Sequence, residues 1–508
     1  MAFARFVDSL VDTPPITLAI YGGAALASAF AAWEAWSYWR LSHVPGPKSM
    51  ALSIYPMNKL ALSGKMSFEL QKLQKKYGPL LRVGPNEVVF ADAETYRKLS
   101  GARSLFFKGP WYAPSAVLPD QDSLFSMTDE EERKILRTKL TPGYSGRENG
   151  GFESTIDKHV TEFIDLIERK YISTAKDYRP IEFAHRCQFF ALDVISDVGF
   201  GDAVGFLKND EDMYNYVAIN DDFFPVLVMM LNMPWLPMLM KKWPFNAAMP
   251  KDGDMVGFGR MMTWALDVVD KRIAAGPTGY DMMASHIRQG LTRKEIIAEV
   301  FMEMIAGSDS TATAIRMTVL CLLTNPTALA KLRAEIDAGV ASGAITTPII
   351  RDAEARQLPY LQAVIKEGLR MYPPSTGLNY KEVPRGGAEV NGYFLPAGTQ
   401  VGVNTLTMMR DPETFGPDAE VFNPDRWLSD DEEHVKEMSN VVELAFGHGK
   451  FQCLGKTIAY MELNKAFVEL LRRFDFTIVN APEPLALRDA AFWVTNNFML
   501  RVTHRAKV

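Results

Sequence analysis

Phe446-Gly447-His448-Gly449-Lys450-Phe451-Gln452-Cys453-Leu454-Gly455 is the stretch on which the reading of this chain turns. A glycine-rich loop delivers Cys453 to the start of a helical pattern, Leu454–Arg472. The amides and dipole of a helix N-terminus stabilise an anionic thiolate, which suits a nucleophile or a metal ligand. Gly449 and Gly455 let backbone approach a flat ligand closely. A zinc site would want further Cys or His, and only His448 is near. A cysteine hydrolase would need a positioned histidine base, an alternative that the sequence alone leaves open. Taken alone, a single cysteine is by default a small buried hydrophobe.

Outward from this loop, the chain of 508 residues is 47% hydrophobic, enough to bury a large core. Its net charge of -6 carries no basic excess, which argues against nucleic acid as a partner. The cysteines, Cys187, Cys321 and Cys453, are odd in number and far apart, so a disulfide framework is not expected. Long helical patterns dominate, at 152–170, 257–273, 293–325 and 327–340. Short β signals fall at 80–90, 388–394, 399–403, 474–479 and 498–502, which predicts a mainly α protein with small sheets. Thr292 and Glu295 form a capping box that opens a helix of roughly 50 Å, stopped by Pro326. Its middle, Ala306-Gly307-Ser308-Asp309-Ser310-Thr311, is a poor helix interior, and a small polar spot there suggests a ligand lying against it.

These segments together resemble the cytochrome P450 superfamily, whose haem loop reads F-x-x-G-x-R-x-C-x-G. Phe446, Gly449, Cys453 and Gly455 match, while Phe451 stands where the family has an arginine that pairs with a haem propionate. Lys450 beside it is a candidate replacement. Glu367 and Arg370 carry the family's E-x-x-R, one helix turn apart. Asn423-Pro424-Asp425-Arg426-Trp427 resembles P-E-R-F, so Arg426 is expected to join Glu367 and Arg370 in a network supporting the haem loop. Residues 306–311 resemble A-G-x-D-T-T, with Ser310 in place of threonine. The likeness covers essentially all of the chain after residue 47. Its wording is similar to the filamentous-fungal, pisatin-demethylase-like branch, many members of which tailor secondary metabolites.

The resemblance implies haem b with Cys453 as axial thiolate, the ligand that favours O–O cleavage. Asp309 and Ser310, with Thr311 beside them, are then the expected proton relay. In the segment 129–140, Arg137 matches the family's propionate-binding W-x-x-x-R and Arg133 replaces the tryptophan. Lys381 falls near a further propionate position. Lys134 and Lys139 offer a basic surface to an NADPH-dependent cytochrome P450 reductase. The methionine-rich run 223–245 falls in the substrate-entry region, and 108–112 and 374–379 in loops that line the pocket, which suggests a lipophilic small molecule. The implied activity is monooxygenation. A haem-thiolate isomerase or dehydratase, and a non-catalytic haem sensor or carrier, are the alternatives.

At the N-terminus, residues 16–33 carry no charge, close to the roughly 20 residues of a bilayer-spanning helix. Trp36, Tyr38 and Trp39 follow as an interfacial belt. Arg40 and Lys48 downstream, against Arg5, Asp8 and Asp12 upstream, put the downstream side in the cytosol. A cleaved signal peptide is the rival reading. Val44-Pro45-Gly46-Pro47 reads as a stiff hinge. The expected organisation is therefore an anchor, 1–43, and a catalytic domain, 44–508, on the cytosolic face of the endoplasmic reticulum membrane.

Overall fold

Residues 14–118, 120–146, 150–240, 258–276 and 278–506 are described by the computed structural model of the chain. Their principal helices, in chain order, are α1 (Pro15–Arg40), α2 (Glu130–Tyr144), α3 (Phe152–Lys170), α4 (Phe183–Phe200), α5 (Tyr216–Asn232), α6 (Arg293–Leu323), α7 (Pro359–Met371) and α8 (Lys456–Arg473). Small sheets flank them, so the expected mainly α architecture with peripheral β structure is the one found.

The capping box forms as read: Thr292 accepts from the Glu295 backbone N–H while Glu295 accepts from the Thr292 N–H, and α6 then runs for 31 residues. It is buried along most of its length and packs against α4 and α8. A Cβ at Gly307 would come 2.7 Å from Ile195 on α4, so this glycine sets how closely the two helices approach.

The main sheet joins β1 (Leu81–Arg82), β2 (Glu87–Phe90), β3 (Lys381–Glu382) and β4 (Gln400–Val403) in the order β1-β2-β4-β3. β2 and β4 are parallel, and β3 pairs antiparallel to β4 with Lys381 opposite Val401. An isolated bridge from Phe107 to Glu382 brings the segment before residue 110 onto the outer edge of β3. Residues 486–496, where no strand was expected, form a hairpin of β5 (Ala486–Ala490) and β6 (Phe492–Asn496) turned at Ala491. The sequence pattern hid it because its buried members include Asp489, which accepts the Ser67 backbone N–H at 2.6 Å.

The N-terminal helix is present, but the expected membrane span is not met. No helix among the described residues is long and apolar enough to cross a membrane. Within α1 the apolar run is largely alanine and glycine, which bury little area, and Glu34 interrupts it. The flank with Arg5, Asp8 and Asp12 lies outside the described residues. At its other end α1 docks on the body. Buried Arg82 donates to the carbonyls of Ser37 and Tyr38, and Arg40 donates to Asn86 Oδ1 and Thr399 Oγ1.

The three residues expected to network do so. Arg370 grips Glu367 with two 2.8 Å bonds, Arg426 Nε donates to Glu367 Oε1 at 3.1 Å, and Trp427 Nε1 donates to Glu367 Oε2 at 3.1 Å. Arg370 also donates to the carbonyls of Met409, Ala419 and Val421, tying α7 to the 409–427 segment. Glu367→Ala would leave the buried Arg370 guanidinium without a carboxylate and Arg426 with Asp418 alone. It should cost about 3–5 kcal/mol, read as a lower denaturation midpoint of the whole chain; an unchanged midpoint would show the network to be dispensable.

Candidate active site

Cys453 is fixed by two local devices. Its backbone N–H donates to Phe446 O at 2.7 Å, closing the loop, and Gly455 caps α8 two residues on. Gly449 is required by protein rather than by a ligand: it has φ +55, and a Cβ there would fall 2.4 Å from Ser100 O. Gly455 is different, since the nearest atom to a Cβ there is the Cys453 sulfur at 3.9 Å. The sulfur faces an internal cavity of about 360 Å³, in the range of about 300–1,000 Å³ usual for small-molecule and cofactor sites. Cys453 is accessible and lines that space. The protein packed around it raises its pKa, while the N–H groups of Gly455 and Lys456 and the Arg137 guanidinium draw it down. Cys187 and Cys321 are buried in helices away from the cavity.

The wall facing the thiol is α6. Ala306, Gly307, Ser310 and Thr311 line the cavity. Ser310 Oγ donates to Ala306 O at 2.7 Å, and Thr311 Oγ1 donates to Glu462 Oε2 on α8 at 3.0 Å. Asp309 is not on the wall. It lies behind it, buried, with Oδ1 accepting from Gln188 of α4 at 2.8 Å. Burial pushes its carboxyl up to about 7, with Arg316 pulling the other way.

One rim of the cavity is strongly basic. Arg133, Arg137, Lys381 and Lys450 all line it, together with Lys108. Glu130 answers two of them: Arg133 takes it with two bonds of 3.1 and 2.9 Å, and Lys450 Nζ donates to it at 2.7 Å. No carboxylate among the described residues reaches salt-bridge distance of Lys108, Arg137 or Lys381. Burial holds Lys381 well below the usual lysine range, helped by Lys108 and Arg133, and brings Lys108 to about 7. A buried cation without an anion is costly, so this rim fits a ligand that carries negative charge at one edge. A cavity with a thiol on one wall, a helix of small residues opposite and a basic rim suits haem with its two carboxylates. Glu367, Arg370 and Arg426, expected beside the cofactor, are not among the cavity-lining residues, because their bonds run to one another and to the 409–427 segment.

Residues 45–500 match the family model Cytochrome P450. The chain is 38% identical to Cytochrome P450 monooxygenase ABA1 of Pyricularia oryzae, over 92% of this chain and 93% of the relative. It is 36% identical to Cytochrome P450 monooxygenase aba1 of Botryotinia fuckeliana, over 91% and 92%. A third relative, Cytochrome P450 monooxygenase abl1 of Leptosphaeria maculans, is 36% identical over 89% of this chain and 81% of its own length.

The sequence reading missed the buried acids of this cavity, Glu299, Glu303 and Glu462. The first two were accessible from periodicity, since 299, 303, 307 and 310 share a face of α6. Glu299 accepts the Leu124 N–H at 2.6 Å and burial lifts it to about 7. Glu462 is lifted to about 8, also by burial, with Thr311 opposing. A carboxyl raised in the folded state keeps its proton while the unfolded chain loses it. Its contribution to stability thus declines from the ordinary glutamate pKa up to about pH 8 and is level above. Glu462→Gln should therefore be as stable as the wild type at pH 5 and more stable at pH 8. Equal denaturation midpoints at pH 8 would mean that Glu462 titrates normally.

Proposed function

The chain belongs to the cytochrome P450 family, and we propose that it acts as a haem-thiolate monooxygenase on a lipophilic small molecule, a fungal secondary metabolite. The observation that carries this reading is Cys453, held at the cap of α8 and lining a cavity walled by α6. Haem held there by the Cys453 thiolate would supply oxygen activation. Arg137 is assigned to one haem carboxylate, since it lines the rim and no carboxylate of the chain engages it among the described residues.

The remaining work belongs to side chains. Ser310 holds its hydroxyl at the cavity wall, parked on the Ala306 carbonyl. From there it can pass a proton onward while accepting another. Burial lifts the Asp309 carboxyl to about 7, toward the range in which a general acid works at neutral pH. Gln188 keeps that carboxyl on the α4 side, so Asp309 recharges the serine from behind the wall rather than from within it. Thr311 is engaged by Glu462 and serves the wall.

Substrate chemistry is read from the lining. Phe125, Ile195, Met302, Ala314, Leu369 and Phe492 make the cavity chiefly apolar. The methionine-rich entry region lies on α5 and the helix Trp235–Met240, and its residues 241–245 are outside the described residues. Trp33, Trp36 and Trp39 stand exposed on α1, and Trp235 and Leu239 on the entry region. Such residues suit a membrane interface, and we place the catalytic body on the cytosolic side of the endoplasmic reticulum membrane, held at its surface. Electrons come from an NADPH-dependent reductase that docks on the basic side of α2, around Lys134 and Lys139.

With reductase, NADPH and a metabolite that perturbs the haem spectrum, the wild type should place one atom of ¹⁸O₂ in product. Ser310→Ala should keep NADPH consumption but divert it to peroxide. Asp309→Asn should slow turnover by about 10²–10⁴ with little change in substrate binding. Product formed without NADPH would contradict monooxygenation, and unchanged coupling in both variants would remove the relay.

A further inference from the structure

The loop arginine that the family uses against a haem carboxylate is absent here, and the charge of its expected substitute, Lys450, is already met by Glu130. Lys450 Nζ donates to Glu130 Oε2 at 2.7 Å and to Ser104 O at 3.1 Å. Arg133 is equally engaged, with its Nε–Nη2 edge on Glu130 and its Nη1 on Lys450 O at 2.9 Å. What occupies the arginine position is an aromatic ring. Arg133 lies over Phe451 at 4.7 Å from the ring centroid, Lys450 at 5.1 Å and Lys381 at 4.3 Å, all within cation–π reach.

Two rim cations remain with capacity to spare. Lys381 Nζ donates to Tyr112 Oη at 2.6 Å and to Asn379 O at 3.0 Å. Lys108 Nζ donates to Leu124 O at 3.0 Å and to Phe125 O at 2.7 Å. An ammonium has three donors, so each lysine keeps one that these bonds do not use. Both are 7% exposed, both line the cavity, and neither has a carboxylate of the described chain within salt-bridge distance. Backbone register makes them a pair: Glu382 N donates to Phe107 O at 2.8 Å, which seats Lys108 beside the strand that carries Lys381. Tyr112 joins them, with Lys108 4.7 Å and Lys381 4.9 Å from its ring centroid.

We propose that Lys108 and Lys381, steadied on the rings of Tyr112 and Phe451, hold the second haem carboxylate in place of the missing loop arginine. The inference rests on the haem reading of the cavity. Phe451 then has a reason of its own. Its ring lies within cation–π reach of the charged ends of three neighbouring side chains, where an arginine would add a fourth positive charge to Arg133, Lys381 and Lys450.

The test is haem retention, followed as transfer from the purified holoprotein to excess apomyoglobin. Lys381→Gln keeps length and a donor for Tyr112 but removes the charge. It should lose haem at least tenfold faster than the wild type, whereas Lys381→Arg should stay within twofold. Lys108→Gln should behave like Lys381→Gln, and Phe451→Leu, which keeps an apolar side chain without a π-face, should lose haem severalfold faster. Wild-type rates in Lys381→Gln, Lys108→Gln and Phe451→Leu alike would overturn the proposal and leave Arg137 and Arg133 as the holders. A wild type that binds no haem at all would instead overturn the haem reading itself, which separates the two failures.

Discussion

Charge held away from water governs this molecule. A sulfur that must ionise to bind metal sits where burial opposes ionisation, while the amides of Gly455 and Lys456 at the head of α8 and the charges of Arg137 and Lys456 act in its favour. Across the same cavity, buried ammonium groups sit where burial opposes their protonation. Each half is unfavourable alone. Haem held there, with Cys453 on its iron and its carboxylates at the lysines as proposed, would relieve both at once. Binding free energy of that kind is also folding free energy, so haem bound there would lend stability to the cavity edge and the loop from 446 to 455.

The scaffold keeps these charges in place with charges of its own. Glu367 gathers Arg370, Arg426, the Trp427 indole and the Asn423 N–H at one point, so that α7 and the 409–427 segment move as a unit. Glu130 does the same at the cavity edge, joining α2 to the cysteine loop through Arg133 and Lys450. On α6, small residues serve two neighbours: Gly307 admits Ile195 from α4 while its other side forms cavity wall. The lysines of the rim pin the pocket itself, since Lys108 bonds the carbonyls of Leu124 and Phe125 and Glu299 bonds the Leu124 N–H.

Much of this was legible from local signals. The capping box at Thr292, the length of α6, the cysteine loop at the head of α8 and the Glu367–Arg370 pair all depend on spacing within a short window, which a sequence displays directly, whereas Arg426, 59 positions from Glu367, was expected from the family resemblance alone. What stayed hidden depends on long-range register. Lys450 is spent on Glu130, 320 positions away, and Lys108 matters because Phe107 bridges to Glu382. Thr311 and Glu462 meet only because α6 crosses α8. The β5–β6 hairpin escaped because Asp489 is buried where alternation predicts an apolar residue. The N-terminal run misled in the opposite direction, since absence of charge is a weaker property than hydrophobicity when the residues are mostly alanine and glycine.

The measurement that bears most directly on the central claim is the absorption spectrum of the ferrous carbon monoxide complex, compared between the wild type and Cys453→Ser. Thiolate ligation gives a strongly red-shifted Soret band, and the wild type should show it. A serine hydroxyl is a far weaker donor to iron, so Cys453→Ser should lose the band while Cys187→Ser and Cys321→Ser keep it. A red-shifted band that survives in Cys453→Ser would contradict the account, because the other two cysteines lie buried in α4 and α6, away from the cavity.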